Sequence, residues 1–305
     1  MSPCATSIVV PVLDDPGGLE TTVRSLLDQS SDDYEVVIVD NGSTDRTPRV
    51  VERFARVDRI VPVVEDEVRG SYAARNAGIE AAEGEVIGFV DADMWVDRDY
   101  VESITRAMRG DDRVYMGCDV EVVNDGSPTG RFNAATGFPV REYVEEARFA
   151  PTCCLVVERR LFEAVGSFDP RMVSGGDVEF GRRVAEAGYD LAFEPGIVLY
   201  HPARGTVRGL ASKWFRVGRG DEQFRRYHPT RFDGPSPFRP RNVLPGHPRD
   251  FLDGLRLEPS SSAELTYWFL LAWTCQLARS AGRIEQYAAS RVHRDAPDRP
   301  ASHSR

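Results

Sequence analysis

Over its first hundred residues the chain alternates short Val/Ile runs with stretches whose apolar positions recur every three or four residues. SIVVPV (7–12) reads as a buried strand, and 19–30 as a helix with Leu19, Val23, Leu26 and Leu27 on one stripe. YEVVIVD (34–40) reads as the next strand. An NGSTD turn follows, then a helix around 49–56, a strand at 60–64, a helix over 71–82, and the strand EVIGFVDAD at 85–93. Near-continuous apolar strands separated by helices imply a mostly parallel sheet covered on both faces. Ligands then collect beyond the C-terminal strand ends.

Beyond residue 100 the pattern is mixed, with strands expected at 113–123 and 152–157 and helices at 160–165, 177–187 and 209–227. Seven prolines between residues 229 and 259 argue against regular structure there and predict a wrapping arm or linker. A last helix is expected over 263–289. Its apolar run, 265–278, is shorter than the ~20 residues needed to cross a bilayer. The tail 292–305 reads as disordered.

Composition narrows the class. With 305 residues, 41% hydrophobic and 28% charged, the chain is neither collagenous nor low-complexity nor wholly disordered. The start, MSPCATSIVVPV, has no cationic region preceding a separate apolar run, so a cytoplasmic location is expected. Five cysteines, an odd number without a CxxC pair, read as free buried thiols rather than a disulfide framework or zinc site. The net charge of −10 is unevenly spread. Residues 1–203 carry 20 basic against 38 acidic side chains, whereas 204–256 carry 12 against 5. That balance argues against nucleic-acid binding by the main unit and leaves a basic appendage suited to phosphate groups or an anionic membrane. Lys213 is the sole lysine among 38 cationic residues.

Three segments carry candidate chemistry. Asp91 and Asp93 follow the strand VIGFV, where a two-residue period sends both carboxylates to one side. Such hard oxygen ligands suit Mg²⁺ or Mn²⁺ bound with a diphosphate, although two turn-forming aspartates give the same sequence. VDNGSTD (39–45) permits a tight turn into a helix N-terminus that can hydrogen-bond an anion or sugar; helix capping by Ser43 or Thr44 fits equally. Arg75, in RGSYAARNAG, precedes the Asp91 strand and is suited either to pairing with a diphosphate or to a solvated surface.

In this order and spacing, SIVVPV, VDNGSTD, RGSYAARNAG, FVDADMWVD and GGDVEFGRRV resemble the family 2 inverting glycosyltransferases of the GT-A fold, over about residues 6–205. The resemblance implies an α/β, Rossmann-like catalytic domain at 1–205, with a nucleotide-sugar half (1–95) and an acceptor half (96–205). A basic, Pro-rich and helical region (206–291) would follow. It also implies transfer of a sugar from a UDP- or GDP-sugar to a hydroxyl, with Mg²⁺ or Mn²⁺ as cofactor and an acceptor such as a polyprenyl- or dolichyl-phosphate-linked saccharide. Matched to the family pattern, Pro11 and Asp40 border the base, Arg75 lies near the nucleotide-sugar, and Asp91 contacts ribose or metal-bound water. Asp93 is a metal ligand, His201 completes the metal site, and Asp177 is the general base. Asp177 also reads as a helix N-cap, and His201 as a packing histidine at a strand end. Two departures stand out: Leu13-Asp14 where many members have Tyr-Asn, and Gly176 where an acidic residue commonly precedes the base.

Other readings compete. A polyprenyl-phosphate glycosyl synthase differs only in its acceptor, and a non-catalytic nucleotide-sugar-binding protein would retain the first half. A sugar-phosphate nucleotidyltransferase needs a basic Gly-rich loop after the first strand, which VLDDPGG does not supply, and a NAD-binding fold needs GxGxxG there. Lys213, Trp214, Phe215, Arg216, Arg225, Arg226 and Tyr227, with Tyr267, Trp268, Phe269 and Trp273, suit the interfacial zone of a membrane, at its cytoplasmic face; packing of the last helix onto the catalytic domain explains the same aromatics.

Overall fold

The computed structural model describes residues 4–110, 113–232 and 236–295, with side chains up to 291. Its first half is three strand–helix units and a fourth strand: β1 (Thr6–Val12), α1 (Pro16–Leu27), β2 (Tyr34–Asp40), α2 (Thr47–Phe54), β3 (Ile60–Val64), α3 (Ser71–Ala81) and β4 (Val86–Phe89). These strands lie parallel in the order β3-β2-β1-β4. Ile8, Val9, Val10, Val36, Val37, Ile38, Ile87 and Phe89 have no solvent exposure. Burial of a side chain of that size is worth ~1.5–3 kcal/mol, so these runs dominate the core.

The second half runs β5 (Trp95–Val96), α4 (Tyr100–Gly110), β6 (Tyr115–Val123), α5 (Pro128–Thr136), α6 (Val140–Glu145), β7 (Leu155–Glu158), α7 (Arg159–Val165), α8 (Gly176–Glu186) and β8 (Ala192–Pro202). It completes an eight-stranded sheet of order β3-β2-β1-β4-β7-β6-β8-β5. β7 enters antiparallel to both β4 and β6, whereas β6 and β8 are parallel.

Two local departures from the sequence pattern matter for the site. The strand expected to reach Asp93 stops at Phe89, because the chain turns and the Met94 amide donates to the Asp91 carbonyl at 3.1 Å. The Thr22 hydroxyl of α1 pins this turn from outside by donating to the Met94 carbonyl at 2.6 Å. The two aspartates therefore share a turn, not a strand face. β8 had no clear sequence signal: Pro195 and Gly196 interrupt it, its residues are mostly half-buried, and its pairing with β6 shifts register at Cys118/Asp119.

The C-terminal region comprises α9 (Val207–Tyr227), α10 (Pro248–Asp253) and α11 (Ser262–Asp295). α9 and α11 approach to backbone contact. A Cβ at Gly218 would lie 1.9 Å from the Arg279 carbonyl oxygen, and one at Gly282 would lie 2.0 Å from that of Phe215. Asp221 of α9 accepts from Arg279 at 2.6 and 2.9 Å and from Arg283 at 2.8 Å. A second core of Phe132, Ala135, Leu210, Trp268, Leu271 and Cys275 joins α5, α9 and α11.

The Pro-rich segment lies along α11. Gln276 donates to the carbonyls of Arg241, Asn242 and Leu244 at 3.0, 3.2 and 2.6 Å, and the Trp273 indole to that of Val243 at 2.8 Å. Contrary to the expected lack of regular structure, this arm contains α10 and a 3₁₀ turn at Pro240–Asn242, each begun by proline at a position that needs no amide hydrogen. α11 continues to Asp295, past the expected end at 289, and the remainder of the tail expected to be disordered, 296–305, lies outside the described residues. All five cysteines are free. Among the described residues no helix is long and apolar enough to cross a membrane.

Candidate active site

A cleft of about 800 Å³ opens beyond the C-terminal ends of β1 and β4, walled on the far side by α5, α6 and α9. Pro11, Arg75, Asp91, Asp177 and His201 line it. Three polar pairs organise it.

The first is Arg75–Asp91. α3 buries Arg75 to 4% exposure, and its Nη2 donates to Asp91 Oδ1 at 2.5 Å while Nη1 donates to the Ser71 carbonyl at 3.1 Å. The Nε is buried without a partner. Arg75 is thus no solvated surface cation. It fixes the first aspartate of the DxD turn through a pair in which the guanidinium is buried and Asp91 keeps 36% of its side chain exposed.

The second pair is Asp93 and His201, the latter near the end of β8. The His201 Nδ1 lies 2.7 Å from the Pro202 carbonyl, which only accepts, so Nδ1 carries the proton and Nε2 the lone pair. Burial lowers the His201 pKa and keeps the ring neutral; burial likewise raises that of Asp93. Nε2 and Asp93 Oδ2 are 3.9 Å apart, too far for a hydrogen bond. Asp93 and His201 are the side chains that would hold a divalent cation here. No cluster of three His, Cys, Asp or Glu side chains suited to a metal occurs among the described residues, so a cation here would need further oxygens from ligand or water.

The third pair is Tyr72 and Asp177. Gly175, at φ 83°, turns the chain into α8, and Asp177 sits inside the first turn; the N-cap itself is Gly175. Oδ1 accepts from the Tyr72 hydroxyl at 3.2 Å and from the Val178 amide at 3.0 Å. Burial outweighs these bonds and the nearby Arg75, and raises the Asp177 pKa. The structure also accounts for the glycine before it. A Cβ at Gly176 would lie 2.9 Å from the Tyr72 ring, so the tyrosine occupies the space an acidic side chain would need.

The other candidate positions divide. Pro11 lines the cleft at the end of β1, but Asp40 is 5% exposed and accepts from the Ser43 amide at 2.9 Å, shaping its own turn. Its neighbour Asn41 lines the cleft instead, locked by bonds to Gly70, Glu65 and Val68. Leu13, at the Tyr-Asn departure, presents an exposed apolar edge there. Tyr72, Arg204 and Lys213 also reach the cleft. Tyr72 lies within RGSYAARNAG, and the singularity of Lys213 was the other available signal.

Comparison with known proteins agrees with this arrangement. Residues 7–166 match the model for glycosyl transferase family 2. The chain is 31% identical over 288 residues to glycosyltransferase AglE of Haloferax volcanii, covering 91% of this chain and 94% of that protein. It is 28% identical over 232 residues to the pre-mycofactocin glycosyltransferase of Mycobacterium tuberculosis, covering 70% of this chain but 46% of that one. In fold it is similar to the mannosyltransferase PcManGT of Pyrobaculum calidifontis, solved with GDP-Man and Mn²⁺, at a TM-score of 0.58, 21% identity, and 96% and 81% coverage of the two chains. It is also similar to S. aureus TarS 1–349 solved with UDP-GlcNAc, at a TM-score of 0.55, 16% identity, and 94% and 92% coverage. The mixed sheet, the cleft at its strand ends and a relative matched along almost its whole length lead to one assignment: this chain is a glycosyltransferase of family 2, built on the GT-A fold.

Proposed function

We propose that the enzyme moves a sugar, with inversion, from a UDP- or GDP-sugar to a hydroxyl of a polyprenyl- or dolichyl-phosphate-linked glycan, using Mg²⁺ or Mn²⁺ at Asp93 and His201. The observation that carries this reading is the meeting of Tyr72, Arg75, Asp91, Asp177 and His201 around one cleft, with Asp93, which does not itself line it, 3.9 Å from His201. The donors named for PcManGT and TarS support the class of donor.

In this mechanism Pro11 borders the base and Asp40 shapes the adjoining loop. Arg75 holds Asp91 in place for the ribose or a metal-bound water. A cation bound by Asp93 and His201 would supply Lewis-acid stabilisation of the diphosphate as negative charge grows on it. Asp177 is the general base. Its carboxylate is oriented by Tyr72 and Val178, and the acceptor hydroxyl's proton passes to it as the hydroxyl oxygen attacks the anomeric carbon opposite the departing diphosphate. Product analysis with a labelled nucleotide-sugar tests the acceptor: label on a lipid-linked saccharide but not on bare polyprenyl phosphate supports the proposal, and the reverse favours a glycosyl synthase.

Peripheral membrane contact, at the cytoplasmic face, belongs to the same reading, on a surface that keeps only Trp273 of the aromatics the sequence suggested. Trp268 is fully buried against Phe132, Tyr267 bonds Thr129 at 2.6 Å, and Arg225 is paired with Glu222, so these residues pack the fold together. The exposed apolar residues are instead Leu270, Trp273, Leu277 and Ile284 of α11, with Phe238 and Leu244 of the arm strapped to it. Exposed Arg239, Arg241 and Arg249 accompany them, a combination suited to an anionic bilayer surface.

A further inference from the structure

One stretch of cleft wall takes no part in the three polar pairs: Tyr143 of α6 and Phe149 just beyond it, both half-buried and both lining the cleft. Their rings stack with centres 4.9 Å apart and planes at 23°. The backbone is bent to make that pair. Arg148 holds φ 61°, a left-handed conformation that non-glycine residues rarely adopt, and the Phe149 amide turns back to donate to the Tyr143 carbonyl at 3.0 Å. The next amide, that of Ala150, donates to the buried Tyr115 hydroxyl at 2.6 Å. The two rings are thus held in place by the fold itself.

We infer that Tyr143 and Phe149 form the platform on which the acceptor's sugar ring stacks, and that they select a saccharide as acceptor; the inference rests on the glycosyltransferase reading above. The C–H groups of a pyranose carry partial positive charge and pack on the negative face of an aromatic ring, while its hydroxyls need polar partners. Tyr143 offers both. Its phenol has no hydrogen-bond partner among the described residues. Burial, followed by the charge of Asp177, raises the Tyr143 pKa, so the phenol stays protonated and able to donate.

Position ties this platform to Asp177 and not to the metal turn. Asp177 and Gly181 are four residues apart on α8 and so lie on one face. A Cβ at Gly181 would lie 2.6 Å from the Phe149 Cα and from the Arg148 carbonyl oxygen, so glycine lets this backbone lie directly on that face, one helical turn beyond the base. The charges that act most strongly on Tyr143 are those of Asp177, Arg256, Arg279 and Glu142; Asp91, Asp93 and His201 are not among them. Phe138, by contrast, packs against His201 with ring centres 5.6 Å apart and belongs with the metal turn. An acceptor hydroxyl loses its proton to Asp177 only within hydrogen-bond reach, which brings the ring that bears it beside Tyr143 and Phe149.

The test uses the full chain saturated with UDP or GDP and Mn²⁺, titrated calorimetrically with the hexyl glycosides of glucose, mannose and galactose and with hexylglycerol, which has the same tail and hydroxyls but no ring. At least one glycoside binds about tenfold tighter than hexylglycerol, Phe149→Leu removes most of that preference, and Tyr143→Phe, which keeps the stacking face, loses less than Tyr143→Leu. Nucleoside diphosphate affinity stays within about twofold in each variant, a separation that general loss of structure does not give. Equal binding of hexylglycerol and all three glycosides overturns the inference and makes the pair a seat for a lipid tail. So does a preference that survives both Phe149→Leu and Tyr143→Leu, or a loss of nucleoside diphosphate affinity as large as the loss of glycoside affinity. Tyr143→Leu, read in the same way, replaces Phe149→Leu should that variant not fold. Failure of the unaltered chain to bind either nucleoside diphosphate would instead count against the transferase reading itself.

Discussion

Tyr72 and Asp177 hold each other in both directions: the phenol donates to the carboxylate Oδ1 at 3.2 Å and accepts from the Asp177 amide at 3.4 Å. The donated bond favours the ionised carboxylate, against the burial that raises the Asp177 pKa. A general base works when deprotonated, so kcat/KM should fall on the acid side through a pKa above the usual carboxylate range. Tyr72→Phe removes the favourable bond and should move that limb to higher pH. Profiles of kcat/KM against pH for both enzymes check this; an unmoved or lowered limb contradicts it.

Asp177→Asn should cut transfer by roughly 10²–10⁴ while leaving donor affinity within about twofold. The same substitution should not lower the melting temperature at neutral pH. A group whose folded pKa is raised contributes stability below its unfolded pKa and loses that contribution as pH rises through the folded value, so at pH 7 the native carboxylate is a liability. Transfer near the native rate removes Asp177 from the base role.

Gly176→Ala places a methyl 2.9 Å from the Tyr72 ring and should destabilise by ~1–3 kcal/mol. In a Tyr72→Ala background the penalty should largely vanish, since the space is then open. Denaturant unfolding of the four proteins measures this coupling, and additive effects would show that the ring is not the obstacle.

These contacts indicate how much of the site was legible beforehand. The continuous Val/Ile runs of β1, β2 and β4 specified the parallel half, because strands buried on both faces can be little else. The motif residues Pro11, Arg75, Asp91, Asp177 and His201 do line one cleft. Less visible was anything set by tertiary approach. The antiparallel entry of β7 and the bulged, half-exposed β8 leave weak periodic signals. The Asp40 carboxylate also accepts from the Ser43 amide and so holds its own turn, a local use the motif does not record. Tyr72 gained its role only when α3 and α8 met.

Vesicle flotation should show the full chain rising with anionic liposomes and not with neutral ones. Leu270→Asp with Leu277→Asp, both on exposed positions of α11, should abolish that recovery without lowering donor affinity. Absence from both vesicle types, or unchanged flotation of the double variant, contradicts contact through this face.

The most direct test of the account is thermal shift across a panel of UDP- and GDP-sugars, with and without Mn²⁺, since only a ligand that binds the native state raises its melting temperature. One sugar nucleotide should give a clear shift that needs the metal, that persists in Asp177→Asn and that is lost in Asp93→Asn and His201→Ala. A shift untouched by removing Asp93 or His201, or no shift with any nucleotide-sugar, would contradict it.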